Sequence, residues 1–349
     1  MKKSLLALAV LTAVTGAAFA QSSVTIYGKV DLGLVLDSGS AAGKSVRIDS
    51  GVTGGSRLGF KGVEDLGGGM KAAFQLETGF CADSAANTSG GTPAAQGNFC
   101  TGSNSFMGRQ AHGDLTGSFG ALSAGRQYSL GFNNLSTIDP FGTGFAGQVN
   151  NIVDPSGIRL NNSATYSTPS IGGVTASAEI AFGEETGNWQ ANRETGAGLT
   201  YASGPAYVGF TFYDVGNSNG SGAARKNYLL GGTYDFGVIK IHALAQKSTG
   251  SGTTGLVPLD VLDLMGGMTV PIAGGSLMAS YIHHNDRTLA DKDASQIGIG
   301  YIYPLSKRTS VYTAFARIKN DNGAAFVVGN ATDTGTGDKA FNLGVVHNF

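Results

Sequence analysis

The feature that most constrains this chain is an alternation of apolar and polar residues that returns in segment after segment. One face of the first segment carries apolar side chains, namely Val24, Ile26, Val30, Leu32, Leu34 and Leu36. The opposite parity carries Thr25, Tyr27, Lys29, Asp31 and Asp37. Successive side chains of a β-strand point to opposite faces, so the pattern predicts strands with one apolar and one polar face. Similar alternation occurs around residues 72–80, 208–213 and 239–246.

The connections between these segments alternate in length. Short, turn-like connections lie at 65–69, 114–117, 171–173, 203–205, 236–237, 272–275 and 305–308. Long loops rich in Gly, Ser, Asn, Asp and Thr lie at 38–55, 81–105, 130–157, 183–193, 215–225, 247–257, 285–294 and 319–338. A soluble sandwich also has alternating strands, but it has no reason to collect all long loops at one end. The tally predicts an all-β fold, an antiparallel transmembrane β-barrel of about 16 strands. At this size the interior is too wide for side chains to fill, so it holds water.

The composition agrees with a chain in which single apolar and polar residues alternate. Charged residues make up 13% of the chain, about half the share usual in soluble domains. Gly accounts for 56 of 349 residues, and Phe and Tyr together outnumber the single Trp thirtyfold. After residue 20 there is no apolar run long enough for a membrane-spanning helix. These properties are typical of a transmembrane barrel.

The N-terminus has the pattern of a secretory signal peptide. Lys2 and Lys3 precede an apolar stretch from 5 to 14, and Ala18-Phe19-Ala20 offers the small residues of a cleavage site. We predict a signal peptide at 1–20 and a single barrel domain at 21–349. The alternative, a membrane-anchoring helix, is disfavoured because the apolar stretch is short. Without Lys2 and Lys3, 21 basic side chains face 24 acidic ones, and a net charge of −3 argues against a nucleic-acid partner.

Cys81 and Cys100 are the two cysteines of the chain. In an exported protein the default interpretation is a single disulfide between them. Two free thiols are the alternative.

The order and spacing of several segments resemble the trimeric Gram-negative general porins, especially the β-proteobacterial and neisserial branch. The segments are Ser22-Ser23-Val24-Thr25-Ile26-Tyr27-Gly28, Ser56-Arg57-Leu58-Gly59-Phe60-Lys61-Gly62, Glu64-Asp65-Leu66-Gly67, Gly125-Arg126-Gln127-Tyr128, Arg159 with Asn162-Ser163 and Tyr166, and the final strand 341–349. The resemblance covers essentially the whole chain after the signal peptide.

The resemblance implies a homotrimer of 16-stranded barrels in the outer membrane, in contact with its lipid and lipopolysaccharide. Small hydrophilic solutes and ions would diffuse passively through each barrel. The third long loop would fold inside, and its acidic residues would face basic residues of the wall across an eyelet. Phe349 occupies the place of the terminal aromatic that the barrel-assembly machinery reads.

Candidate residues of the eyelet follow from the resemblance and from strand parity. Arg57 and Lys61 share the parity opposite to Leu58 and Phe60, which predicts that they face the lumen. Arg109 and Arg159 match further arginines of the family's wall. Asp139 and Asp154 in the third long loop are the candidate acidic partners. Because the wall arginines outnumber the loop acids, we expect a mild anion preference.

Two further expectations concern the outer face. Counting parity from Arg109 places His112 and Asp114 at outward positions that the family usually fills with apolar residues. Arg126 shares parity with Leu122 and Ala124, which predicts an outward side chain that contacts a neighbouring subunit.

We expect no enzyme activity, no cofactor and no metal. A nucleophile-elbow-like run at 216–220 and the spaced glycines Gly250, Gly252 and Gly255 lack the strand–helix context that their motifs require. His283 and His284 lie at adjacent strand positions, so their rings point to opposite faces. A substrate-selective channel and a plugged surface barrel that acts as adhesin, receptor or membrane hydrolase remain the alternatives to a general porin.

Overall fold

The computed structural model describes residues 23–83, 106–217, 223–251 and 258–349. The predicted signal peptide at 1–20 lies outside these ranges, as does Cys100. Both the cleavage site and the disulfide between Cys81 and Cys100 therefore stay predictions.

The described residues form an almost purely β structure. Its strands are β1 (Ser23–Ser40), β2 (Gly43–Ser50), β3 (Arg57–Gly67), β4 (Met70–Gly79), β5 (Gln110–Gly117), β6 (Gly120–Tyr128), β7 (Arg159–Ser167), β8 (Val174–Ala181), β9 (Glu194–Ser203), β10 (Ala206–Gly216), β11 (Ala223–Asp235), β12 (Lys240–Gly250), β13 (Leu259–Ile272), β14 (Gly275–Asp286), β15 (Ala294–Pro304), β16 (Thr309–Asn320) and β17 (Lys339–Asn348). One helix, α1 (Leu130–Ile138), and a short 3-10 helix (Val149–Asn151) lie between β6 and β7.

The strands form one antiparallel sheet that closes into a barrel. β1 pairs with β17 along one edge and with both β2 and β3 along the other. β2 pairs with the later half of β1 and β3 with the earlier half, so the two lie end to end as one interrupted strand. The 17 segments therefore occupy 16 barrel positions, which confirms the predicted fold class.

The connections are sorted by length, as the sequence predicts, with one exception. We expected a long loop at 38–55, but β1 and β2 form a hairpin whose turn is only Ala41 and Ala42. In β2, Val46 and Ile48 face outward and Arg47 faces the lumen. This short stretch of alternation forms a strand, although Gly and Ser residues surround it. The chain then leaves the sheet at 51–56 before β3 begins.

The faces of the barrel follow the alternation in the sequence. On β1 the outward side chains Val24 and Ile26 are 66% and 62% exposed, whereas the inward Asp31 is fully buried. An apolar outer surface and a polar inner surface suit a barrel with lipid outside and water inside. No helix in the described part of the chain is long and apolar enough to span a membrane.

The apolar core lies inside the barrel, between the wall and the segment 129–158, which we call loop 3. Ser129 caps α1 by accepting a hydrogen bond from the Phe132 N–H at 3.0 Å, and Pro140 follows the end of the helix. Leu135 and Ile138 share the buried face of α1 because they lie about one turn apart. They belong to a cluster that includes wall residues such as Leu229 and Leu244.

Candidate functional site

The tip of loop 3 rests on the break between β2 and β3. The Phe145 N–H donates to the Val52 carbonyl at 2.7 Å, and Val52 is fully buried. A Cβ on Gly144 would lie 2.4 Å from the Thr53 carbonyl oxygen, so this close approach requires glycine. The interruption of the strand thus provides the seat on which loop 3 crosses the lumen.

Polar side chains of the wall fix the two ends of loop 3. At the start, the Glu179 carboxylate accepts from the Leu130 N–H at 3.2 Å and from the Tyr213 hydroxyl. At the end of α1, His242 Nδ1 lies 2.7 Å from the Ile138 carbonyl oxygen, which makes this nitrogen the donor. Gln246 donates to the Asp154 carbonyl at 2.7 Å. Loop 3 therefore folds inward, as the resemblance implies, and it is held along its length.

A group of four cations, Lys29, Arg57, Arg109 and Arg159, lines the opening that loop 3 leaves; we call it the basic wall. Arg57 opens β3 directly opposite Lys29 on β1, and cross-strand partners share a face. Arg109 directly precedes β5 and Arg159 opens β7, where long loops enter the sheet.

Glu77 lies behind the basic wall and orients two of its arginines. Its carboxylate is 2.6 Å from Arg109 Nε and 3.4 Å from Arg57 Nε. The Tyr27 hydroxyl donates to the same carboxylate at 3.1 Å. Glu77 is buried, so it neutralises part of the arginine charge without itself lining the opening.

Tyr128 connects Arg109 to Arg159. Its hydroxyl accepts from Arg109 at 2.6 Å and from Arg159 at 2.8 Å. The Arg159 guanidinium also lies over the Tyr128 ring, 4.5 Å from its centroid, in cation–π geometry. Three guanidinium groups, each hydrogen-bonded or ion-paired to neighbouring residues, therefore present a positive surface to the lumen.

The basic wall borders a cavity of about 890 Å³. The face that loop 3 turns to the cavity is mostly uncharged and includes Asn133, Ser136, Thr143 and Asn150. Residues 325–327 and 330–334 of the last long loop also contribute to the lining. Only two carboxylates, Asp154 and Asp333, are found among the described lining residues, and each makes an ion pair, with Arg225 and Arg47 respectively.

Asp154 lines the cavity, but Asp139 does not. The Asp139 carboxylate is buried and accepts from the N–H groups of Phe141, Thr143 and Val149 at 2.9–3.1 Å. Burial raises the pKa of the Asp139 carboxyl to about 6, although these three donors oppose the rise. The expectation that Asp139 faces the arginines is therefore wrong, because its side chain closes the turn inside loop 3.

Lys61 and the His112–Asp114 pair also lie elsewhere than expected. Lys61 faces the lumen, but it lies over the Tyr27 ring at 5.5 Å and does not line the cavity. His112 pairs with Gln75 across the sheet and Asp114 pairs with Ser123, which places both inside the barrel. The outward prediction fails because β5 begins at Gln110, so the alternation cannot be counted from Arg109.

Two of the remaining predicted residues lie on the outer surface or at the closure. Arg126 faces outward and donates from Nε to the Gly108 carbonyl at 2.6 Å and from its terminal nitrogen to Asn161. Phe349 closes the barrel through backbone hydrogen bonds with Gly28 at 3.0 and 3.1 Å. His284 contacts Asp263 in the lumen at 2.6 Å, and His283 lies on the opposite face.

We missed Lys29, Glu77 and Tyr128 as functional residues. A signal for the first two was present, since both share the inward parity of their strands. Nothing in the sequence shows that Tyr128 bridges two arginines, because Arg109 and Arg159 lie on other strands.

Replacing Asp139 with alanine should loosen loop 3. The change leaves three buried N–H groups without an acceptor, at a cost of about 1–3 kcal/mol each. We expect larger open-channel current noise and faster proteolysis within loop 3. Asp139→Asn keeps one acceptor oxygen, so its current noise and proteolysis rate should lie between those of Asp139→Ala and the unmodified chain. Equal noise in Asp139→Ala and the unmodified chain would show that the turn does not depend on this side chain.

Comparison with known proteins places this architecture among outer-membrane proteins. A family model described as Gram-negative porin matches residues 7–323. Outer membrane porin protein 32 of Delftia acidovorans is 34% identical to this chain, with all of both sequences covered. An outer membrane porin protein of Bordetella pertussis is 32% identical over 92% of this chain and 95% of its own. The solved anion-selective porin from Comamonas acidovorans superposes with a TM-score of 0.75 at 28% identity, covering 94% of this chain and 100% of that one.

Proposed function

Because this chain belongs to the Gram-negative porin family, we propose that its barrel is an outer-membrane diffusion channel whose basic wall gives it a preference for anions. The observation that carries the proposal is the imbalance of charge around the cavity. Four cations line it, and each of the two described lining carboxylates is already paired with an arginine outside the lining. The anion-selective porin from Comamonas acidovorans supports the same preference by similarity.

The mechanism is passive. Loop 3 narrows the water-filled barrel to the cavity, so solute size is limited there, and concentration gradients drive the flux. Anions that enter exchange part of their hydration for the guanidinium groups of Arg57, Arg109 and Arg159, which are donors at fixed positions. Cations meet the same charges as a barrier. Buried Glu77 moderates the field, so binding stays weak enough for anions to leave.

Liposome swelling tests the open channel itself. Vesicles that contain the protein should swell in iso-osmotic solutions of small sugars, at rates that fall steeply as the sugar grows. A plugged barrel that serves as adhesin, receptor or hydrolase would give no swelling with any sugar. Heat-treated protein provides the control for vesicle leakage.

Arg225→Gln should reduce the anion preference. The change frees the Asp154 carboxylate, which is 58% exposed in the lumen, from its ion pair. One uncompensated charge about 8 Å from the ion path contributes about 0.5–1 kcal/mol in a hydrated lumen, so the chloride-to-potassium permeability ratio should fall about two- to fivefold. Lys226→Gln is the matched control, because it removes the same charge from the neighbouring outward position. Equal effects of the two variants would contradict a local role for Asp154.

We further propose that the chain assembles as a homotrimer in contact with outer-membrane lipid and lipopolysaccharide, and that Phe349 is read by the barrel-assembly machinery. Arg126 supports the subunit contact, since its charged group lies on the outer face, where it donates to the Gly108 carbonyl and the Asn161 side chain. Mild detergent extracts should show an oligomer band that collapses to monomer on heating. Arg126→Leu should lower the temperature of that collapse, whereas an unchanged temperature would place the contact elsewhere.

A further inference from the structure

Two aromatic side chains pack beside the basic wall. The rings of Tyr128 on β6 and Phe132 on α1 stack with centroids 4.9 Å apart and planes 21° apart. We call this pair the aromatic step. Both residues line the cavity, and Phe132 is only half-buried, so part of its ring borders open space.

The aromatic step touches the cations directly. The Tyr128 hydroxyl accepts from both Arg109 and Arg159, and the Arg159 guanidinium lies 4.5 Å from the Tyr128 ring centroid. Ile158, which is 39% exposed, directly precedes Arg159 and also lines the cavity. Two guanidinium donors and an apolar ring face therefore meet within the span of one small molecule.

These contacts suit an anion with a charged end and a flat apolar end. A carboxylate pairs with guanidinium groups through two parallel hydrogen bonds, and an aromatic ring gains from an offset stack on another ring. A carboxylic acid with hydroxyls on its ring would turn those hydroxyls toward Phe132 and Ile158, where they lose hydrogen bonds to water. Chloride has no ring, so it would interact with the cations alone.

We infer that this channel binds aromatic monocarboxylates at the aromatic step in preference to hydroxylated acids of the same ring size. The carboxylate lies on Arg109 and Arg159, and the ring lies against Phe132 and Ile158. This inference rests on the proposed anion channel, and it adds a substrate class to that function.

The test compares benzoate with shikimate, a hydroxylated six-membered-ring monocarboxylate, as blockers of chloride current through the reconstituted channel at neutral pH. Stacking and apolar contact of one ring should lower the half-blocking concentration of benzoate about three- to tenfold below that of shikimate. In Phe132→Ser the benzoate block should weaken and the shikimate block should not change. Ser136→Ala, one turn further along the same helix and also in the lining, is the matched control and should alter neither.

Separate outcomes decide separate claims. A channel without any anion preference overturns the proposed function and this inference with it. An anion-preferring channel that benzoate and shikimate block equally overturns only the inference, as does a benzoate preference that survives in Phe132→Ser. If Phe132→Ser fails to fold, Ile158→Ser removes apolar surface from the same site without touching the ring stack. A smaller difference between benzoate and shikimate in that variant supports the inference, and an unchanged difference overturns it.

Discussion

Replacing Arg57 and Arg109 together with glutamine should abolish most of the anion preference. Both guanidinium groups line the cavity, and both contact the Glu77 carboxylate. At an effective dielectric constant of about 40, a charge about 8 Å from the ion path contributes about 1 kcal/mol. Removing two such charges and exposing the field of Glu77 should therefore lower the chloride-to-potassium permeability ratio at least about tenfold.

The same pair of substitutions combined with Glu77→Gln provides the control. With the carboxylate neutralised as well, Lys29 and Arg159 should restore part of the anion preference. Zero-current potentials across planar bilayers in a KCl gradient give both ratios. An unchanged ratio in the double variant would show that ion selectivity is set outside the basic wall.

Ile138→Asp should widen the channel. Ile138 is fully buried where α1 packs on the wall, and the new carboxylate would have no partner there. Burying an unpaired charge costs several kcal/mol, and this cost is relieved when the end of α1 leaves the wall. The barrel strands do not depend on this contact, so we expect loop 3 to leave the wall while the barrel persists. Single-channel conductance should rise about twofold, and larger sugars should cause vesicles to swell.

Two variants separate displacement of the loop from simple changes of charge or volume. Asn133→Asp adds the same charge to the exposed face of α1, so it should alter ion preference but not the size limit. Ile138→Val costs about 0.5–1.5 kcal/mol and should leave conductance unchanged. A conductance of Ile138→Asp equal to that of the unmodified chain would mean that loop 3 does not depend on this packing.

Much of the fold follows from two patterns that are local in the sequence. Strand parity predicts the face of each side chain, and connection length predicts which end of the barrel it lies near. The exception at 38–55 has a physical cause. β2 contributes only two outward apolar residues, Val46 and Ile48, and the break at 51–56 that follows it has the composition of a loop. The reason for the break, a seat for loop 3, is a long-range contact that no local pattern contains.

The sequence predicts which side chains face the lumen wherever the alternation of a strand can be followed. This prediction holds for Arg57 within β3, and it failed for His112 because Arg109 precedes the first residue of β5. Loop 3 has no periodicity after α1, so nothing distinguished the buried Asp139 from the exposed Asp154. Their roles depend on which loop atoms meet which wall atoms, such as the three backbone donors around Asp139.

The zero-current potential of the unmodified channel tests the central claim most directly, namely that the basic wall opposite an uncharged face of loop 3 favours anions. In a KCl gradient at neutral pH, chloride should cross more readily than potassium, so the concentrated side should become positive. A concentrated side that becomes negative would contradict the account, because it would mean that the four cations of the basic wall do not control the passage of ions.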